Sequence, residues 1–175
     1  MSLRSNDVTR THPPSLSTAT SLRWSIAALA LTLAASTAHA QTTPPLRKYV
    51  GSPDYPALLK EPGVKAKLQA VVGKQLPALM HSINVTGDMG LVSGAIAISG
   101  NAPHKGGEVE GVICVAEYDG TVQAALLSNR RITVFAKDQS YDNLMICIKD
   151  WITQVNSGHR DRFAQPKNVQ FGKPG

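Results

Sequence analysis

The residues best suited to chemistry lie in one short polar segment between two apolar runs. Residues 99–107 read Ser-Gly-Asn-Ala-Pro-His-Lys-Gly-Gly, which predicts a loop that Pro103 stiffens and that carries His104 at or near its tip. His104 and Lys105 together present an imidazole and an ammonium group, which can meet acidic groups in a partner's cleft. Taken alone, these residues favour an exposed hairpin tip without a function over a binding loop.

An acid–base site is the second chemistry that this segment suggests. Glu108 and Glu110 are two positions apart, so they can share one face of a strand, and His104 lies nearby in the sequence. Paired carboxylates on a strand are usually solvated, however, and the chain has no Gly-x-Ser-x-Gly, His-Glu-x-x-His, Cys-x-x-Cys or phosphate-binding glycine motif. We therefore predict that the protein is not an enzyme and uses no cofactor or metal ion. An enzyme built on His104 with Glu108 or Glu110 is the alternative.

Residues 1–40 have the three parts of a secretory signal. A basic leader precedes an apolar run, and Ala-His-Ala, ending at Ala40, forms a small-x-small cleavage sequence. The apolar run is too short for a comfortable membrane span, and no cysteine follows it that could carry a lipid anchor. We predict cleavage after Ala40 and a periplasmic mature chain that does not stay in the membrane. An uncleaved anchor is the alternative.

The charge of the chain limits the choice of partner. It has 18 Lys and Arg residues against 12 Asp and Glu residues, a formal net charge of +6. The cations are scattered, and no stacking aromatic residues lie among them, so we predict no nucleic-acid partner. The charge is most simply explained as a contribution to solubility.

The chain has two cysteines, Cys114 and Cys147. An even number of cysteines in an exported chain favours one disulfide, and two buried thiols that never meet are the alternative. Neither cysteine has a second metal ligand two to four residues away, so their spacing suits no zinc site.

The spacing of apolar residues predicts an α+β fold: an N-terminal helix, an antiparallel β-sheet meander, and a C-terminal helix packed on the sheet. Residues 41–56 are rich in proline and predict an extended arm. The first helix opens at residues 61–63 and ends at Gly73, and a short helical turn follows at residues 77–81. The apolar face of the first helix is formed by Val64, Leu68, Val71 and Val72.

The rest of the chain predicts the sheet and the second helix. Apolar residues at 144–155 repeat at helical spacing, and this helix would carry Cys147 towards the sheet and Cys114. Ser140 or Asp142 can cap its start and Gly158 its end. The tail, residues 159–175, is predicted to be irregular, and one domain spans residues 57–158. Strands are predicted at residues 91–99, 108–118, 121–127 and 131–136, with an Asp119-Gly120 hairpin turn and a polar turn at 128–130.

Two short segments resemble a known family. Residues 101–106, Asn-Ala-Pro-His-Lys-Gly, resemble the inhibitory loop Cys-Lys-Pro-His-Asp-Cys of the bacterial inhibitor of vertebrate lysozyme (Ivy) family. Residues 73–78, Gly-Lys-Gln-Leu-Pro-Ala, resemble that family's Gly-x-x-Leu-Pro-Ala segment. The order of predicted elements matches over roughly residues 58–155, so the resemblance implies an Ivy-like fold.

The resemblance also implies a function. It suggests a periplasmic inhibitor of lysozyme-type glycoside hydrolases that blocks the active-site cleft with the 101–107 loop. His104 would contact the catalytic carboxylates, Pro103 would shape the loop, and Lys105 would contact the target beside them. Imidazole N–H groups can hydrogen-bond the acid pair that glycoside hydrolysis needs.

The loop departs from the family's pattern at three positions. Asn101 and Gly106 replace the two cysteines, and loss of that staple costs about 2 kcal/mol, or roughly thirtyfold in affinity if it all falls on binding. Gly106-Gly107 adds to the cost of ordering the loop. Lys105 replaces Asp, and a positively charged chain is not steered electrostatically towards the basic lysozymes of animals. We therefore expect inhibition that is weak or redirected to another peptidoglycan-cleaving enzyme.

Two further hypotheses follow from the residues. The first is a periplasmic interaction or immunity protein that has the Ivy-like fold and no longer inhibits lysozyme. The second concerns assembly, since a hydrophobic sheet edge would support a homodimer.

Overall fold

A computed structural model describes residues 46–156 and 159–173 of the chain. The predicted signal peptide and the cleavage after Ala40 lie outside the described residues. No helix among those described is long and apolar enough to cross a membrane. The elements are two 3-10 helices (Leu46–Tyr49 and Gly73–Gln75), the helices α1 (Tyr55–Lys60), α2 (Pro62–Val72), α3 (Leu76–Ser82) and α4 (Ile146–Val155), and the strands β1 (Val85–Thr86), β2 (Gly90–Val92), β3 (Ala95–Asn101), β4 (Glu110–Ala116), β5 (Val122–Ser128), β6 (Arg131–Phe135) and β7 (Val169–Phe171).

The seven strands form one mixed sheet, so the predicted α+β class is confirmed. The strand order is β1-β3-β4-β5-β6-β7, with β2 also paired to β3. All pairs are antiparallel except β6 with β7, where Ile132 lies opposite Val169 and Val134 opposite Phe171 in parallel register. The expectation of a purely antiparallel meander with an irregular tail is therefore wrong. Val169 and Phe171 alternate with Gln170, which lets the tail add a strand whose apolar side chains pack on the α4 face.

Alternation along the central strands divides the core into two clusters. Ile113 and Val115 of β4 pack against α1, α2 and α3, whereas Val112 and Cys114 pack against α4. Because successive side chains of a strand point to opposite faces, both faces of the sheet are covered by helices. The same two-residue period appears in β3. Its alanines, Ala95 and Ala97, face α4, and its isoleucines, Ile96 and Ile98, face the opposite cluster.

The N-terminal region is more folded than the sequence predicts. The predicted helix face on α2 is buried as expected, and the backbone at Gly73 has the positive φ of +54° that favours glycine after a helix. The predicted extended arm is wrong for its described part, since Leu46 is only 2% exposed. The Asp54 side chain accepts a hydrogen bond from the Ala57 N–H (3.1 Å) and caps α1. Pro56 lies in the first turn of that helix, where a proline does not break hydrogen bonds.

The single strand predicted at residues 91–99 is a hairpin in the structure. Ser93 and Gly94, with φ of +47° and +79°, form a two-residue turn between Val92 and Ala95, which are paired. Positive φ at both central residues is the pattern of a type I′ turn. The apolar alternation on either side of this turn makes β2 and β3 look continuous in the sequence.

Helix α4 is joined to the centre of the sheet by the predicted disulfide. Cys114 and Cys147 are bonded, with their Cα atoms 6.2 Å apart. The helix begins after Met145, whose N–H donates to Gln123 Oε1 (2.8 Å). A side chain of β5 therefore satisfies this N–H, in place of the expected cap by Ser140 or Asp142. The helix end predicted at residue 158 lies outside the described residues.

Removal of this disulfide is expected to destabilise the protein strongly. The bond closes a loop with a sequence separation of 33 residues, and the chain-entropy model gives a loss of about 4 kcal/mol on unfolding free energy for that length. The double variant Cys114→Ala/Cys147→Ala, compared with the oxidised protein in urea unfolding, measures it. A loss below about 1 kcal/mol would contradict a stapling role for the bond.

Two glycines give the end of α3 access to the sheet. Gly100 and Gly111 are directly paired across β3 and β4. A Cβ at Gly111 would lie 2.9 Å from Ile83 Cγ2 and closer still to Ser82 Oγ, and a Cβ at Gly100 would meet the backbone carbonyl of Val85. The segment from α3 to β1 thus packs directly on the backbone at the base of the β3–β4 connection.

Gly111→Ala is therefore expected to lower the free energy of unfolding by about 1–3 kcal/mol, the usual cost of overpacking a tight contact. Gly63→Ala is the matched control, because a Cβ there, in the first turn of α2, meets nothing within 4 Å. The control should be neutral or stabilising by up to about 1 kcal/mol. Equal effects of the two substitutions on urea unfolding would show that the close approach is unimportant.

Candidate functional site

The connection between β3 and β4, residues 102–109, extends from one end of the sheet and contains the predicted loop. The strand pairing runs up to Asn101 opposite Glu110, and the Ala102 N–H donates to the Val109 carbonyl (2.9 Å) beyond it. Ala102 is fully buried. The base of the loop is therefore a continuation of the hairpin and is fixed by the sheet.

The tip of the loop is a tight turn that presents His104 to solvent. The Lys105 N–H donates to the Ala102 carbonyl (3.0 Å), which closes a four-residue turn with Pro103 second and His104 third. His104 has a φ of +59° and is exposed. Proline at the second position and a positive φ at the third are the features of a type II turn. Histidine is among the residues that tolerate this backbone region better than most.

Two side-chain contacts span part of the loop without a disulfide, and a third lies between neighbouring residues at its base. Glu110 Oε1 accepts a hydrogen bond from the Gly107 N–H (2.6 Å), and Asn101 Nδ2 donates to the Ala102 carbonyl (2.8 Å). Lys105 Nζ lies 3.2 Å from Glu108 Oε2. The loop that the sequence predicts to be unstapled is thus held by polar contacts at its two sides.

The structure brings the three predicted contact residues, Pro103, His104 and Lys105, into one turn. It also shows what the two glutamates do. Glu108 pairs with Lys105, and Glu110 caps the Gly107 N–H, so each carboxylate has a structural partner within the loop. Neither forms a hydrogen bond to His104 among the contacts of the described residues. The role of Glu110 was not visible in the sequence, since only the folded loop turns a backbone N–H towards it.

The two positions that replace the family's loop cysteines face each other. A Cβ built at Gly106 would lie 3.9 Å from Asn101 Cγ, an ordinary van der Waals contact. Gly106 is absent from the residues with positive φ, so its backbone accepts a side chain. The second resembling segment, residues 73–78, forms a 3-10 helix and the start of α3, where Leu76 packs against the α1–α3 cluster.

The carboxyl groups with lowered pKa values lie away from this loop. The Thr121 N–H, followed by the Thr121 hydroxyl, lowers the pKa of Asp119 in the β4–β5 turn at the opposite end of the sheet. The Tyr49 hydroxyl, then Lys48, lowers the pKa of Glu61 between α1 and α2. The first shift reflects hydrogen bonds within a turn, and the second reflects contacts that join the Leu46–Tyr49 3-10 helix to the α1–α2 junction. Among residues 46–156 and 159–173, no three His, Cys, Asp or Glu side chains gather in a way that could hold a metal ion.

One comparison with known proteins matches this region. A family model described as Inhibitor of vertebrate lysozyme (Ivy) matches residues 63–157, more than half of the 175-residue chain. The matched stretch includes the 102–109 loop and both cysteines of the disulfide. No curated protein and no solved structure matches the chain significantly.

The facing positions generate a test of the loop geometry. The variant Asn101→Cys/Gly106→Cys is expected to form a second disulfide on oxidation, because the side chains meet at a distance that a disulfide spans. The chain-entropy model gives about 2 kcal/mol for a disulfide that closes a six-residue loop. The new disulfide should raise the free energy of unfolding by less than that, because polar contacts already constrain the loop. Thiol titration and the melting temperature measure both effects. Two thiols that stay free under oxidation would show that the positions do not face each other.

Proposed function

Because the chain belongs to the family of inhibitors of vertebrate lysozyme (Ivy), we propose that it is exported to the periplasm and inhibits lysozyme-type glycoside hydrolases there. The inhibitor would act by occupying the cleft with the 102–109 loop and would carry out no chemistry of its own. The signal sequence of residues 1–40 supports the export, and family membership supports the class of target.

The observation that carries this proposal is the presentation of His104. It lies at the tip of a turn whose base continues the sheet, so the side chain is exposed while the backbone behind it is fixed. Glycoside hydrolases of the lysozyme type hold two carboxyl groups in their cleft. An imidazole that donates N–H groups to carboxylates forms charge-assisted hydrogen bonds, which are stronger than neutral ones.

Pre-organisation is what makes so small a loop sufficient for binding. A flexible loop loses conformational entropy when it binds, and rigidity in the bound shape removes part of that cost. Pro103 fixes its own φ, and the Lys105 N–H closes the turn around it. The backbone that carries His104 is therefore fixed before the target arrives.

Lys105 adds to the attraction for carboxylates. Both members of the ion pair are exposed: 55% of the Lys105 side chain and 70% of the Glu108 side chain are accessible to solvent. An exposed ion pair contributes little to stability. Lys105 can therefore exchange Glu108 for a carboxylate on the target at small cost.

A second candidate function is favoured by the replacement of both loop cysteines with Asn101 and Gly106. It is a periplasmic interaction or immunity protein that has the same fold and binds a different peptidoglycan-cleaving enzyme. Its loop would work in the same way on another cleft, so the identity of the inhibited enzyme distinguishes the two candidates.

The proposed function is tested by a cell-lysis assay with c-type lysozyme and the purified mature protein. Inhibition is expected, and His104→Ala is expected to weaken it by about thirtyfold or more, the effect of losing a central contact. Lys137→Ala is the control, because Lys137 is also exposed but follows β6 at the opposite end of the sheet. The control should inhibit like the unchanged protein.

The outcomes separate the target from the fold. Inhibition that survives His104→Ala would contradict the role of the loop tip. No inhibition at a large molar excess would exclude c-type lysozyme as the target and favour the second candidate.

A further inference from the structure

The turn between β5 and β6 carries an arginine in a backbone conformation that favours glycine. Ser128 and Arg131 are paired across the turn, and the two residues between them, Asn129 and Arg130, have φ of +52° and +61°. This is a type I′ turn, in which asparagine suits the first central position and glycine the second. A side chain with Cβ at the second position strains the backbone. Strained residues of this kind are concentrated at functional sites.

The strand register places this turn beside the 102–109 loop. β3 and β5 run in the same direction, because each is antiparallel to β4, so the connections that follow them lie at the same end of the sheet. Glu110, at the base of the loop, is paired with Leu127, the residue before Ser128. Two strand spacings, or about 10 Å, separate the loop and the turn. A target that receives His104 is therefore within reach of the Arg130 side chain.

The cations of this turn have no acidic partner in the part of the chain that the structure describes. Arg130 and Arg131 are exposed, and neither is among the ion pairs of the described residues. A third exposed cation, Lys167, lies at the same end, since the adjacent Asn168 donates from Nδ2 to the Arg130 carbonyl (3.2 Å).

The opposite end of the sheet has a different charge balance. There Glu117, at the end of β4, pairs with Arg47 at a distance of 3.7 Å. Asp119 follows in the β4–β5 turn, where the Lys67 ammonium contacts its backbone carbonyl. Among the described residues, the end that presents the loop thus carries three exposed cations without an ion-pair partner, Arg130, Arg131 and Lys167. A surface of that kind attracts partners with acidic groups and repels basic ones.

We propose that Arg130, with Arg131 beside it, forms a second contact with the target of the 102–109 loop and binds carboxylates at the rim of its cleft. The inference rests on the proposed function and specifies the partner as a glycoside hydrolase with an acidic cleft rim. A guanidinium group binds a carboxylate through two parallel hydrogen bonds. Arg130 therefore contributes to the choice of target, while His104 contacts the catalytic carboxylates.

Binding to two forms of one enzyme tests this contact. The probe is c-type lysozyme, either native or with its lysine side chains succinylated, which converts surface cations to carboxylates and leaves the cleft carboxylates in place. The protein is expected to bind the succinylated form more tightly. Arg130→Gly should weaken that binding by about fivefold at low ionic strength, and the loss should shrink to less than about twofold in roughly 0.5 M salt, because salt screens charges at a rim.

Two matched variants isolate the charge of Arg130. Asn129→Gly changes the same turn without removing a charge and should leave the affinity unchanged. Lys137→Ala removes an exposed cation that follows β6 at the other end of the sheet, and it should weaken binding by less than about twofold. Arg130→Gly should not lower the melting temperature, since glycine fits the positive φ better than arginine does.

The outcomes distinguish this inference from the proposed function. If His104→Ala abolishes binding while Arg130→Gly weakens it no more than Lys137→Ala does, the rim contact is wrong and the inhibitory loop stands. An equal loss in Asn129→Gly and Arg130→Gly would also overturn the contact, because the turn backbone and not the charge would then matter. If the unchanged protein binds neither form of lysozyme, both proposals fail for this class of enzyme.

Discussion

The pairing of β3 with β4 is the constraint on which the rest of the structure depends. These strands are paired residue for residue from Ala95 opposite Ala116 to Asn101 opposite Glu110. Both of their faces are buried, with the isoleucines facing α1–α3 and the small residues facing α4. A slip of one residue would exchange the two faces of a strand. The register therefore follows from side-chain size, and it fixes the residue at which the hairpin leaves the sheet and the turn begins.

The covalent link of this hairpin lies away from its 102–109 loop. The disulfide of Cys114 joins the middle of β4 to α4, so the covalent link holds a layer of the core and leaves the loop to hydrogen bonds. A hydrogen bond contributes about 1 kcal/mol on average. The turn bond of Lys105 and the Gly107–Glu110 bond are thus comparable in sum to the ~2 kcal/mol of the missing staple. The thirtyfold loss of affinity expected from the sequence is an upper limit, because it treats the unstapled loop as unconstrained.

The parts of the fold that the sequence predicted have local causes. The buried face of α2, the strands around the Asp119-Gly120 turn and the turn at Pro103 all follow from spacing or turn residues within a few positions. The parts that it missed depend on distant partners. β7 follows α4 in the sequence and pairs with β6, which precedes that helix. Leu46 is buried in the cluster that includes α2 and lies beside Gly120 of the β4–β5 turn. The turn at Ser93 was hidden for another reason, since the apolar alternation on both sides gave no break in the pattern.

The candidate site shows the same division between local and distant causes. The sequence located the turn at Pro103 and His104 because proline is typical of its second position. It could not show that Glu110 binds the Gly107 N–H or that the turn of Arg130 lies at the same end of the sheet, because both facts need the strand register.

The two proposed contacts differ in how far the chemistry of the target constrains them. Most glycoside hydrolases use a pair of carboxyl groups in the cleft, so the contact that we propose for His104 would be set by the reaction itself. Charges around a cleft are free to vary between enzymes, and complementary charges determine specificity more than affinity. A family that retains the Pro-His turn and changes the charges on neighbouring turns would therefore keep one inhibitory principle while it changes its targets.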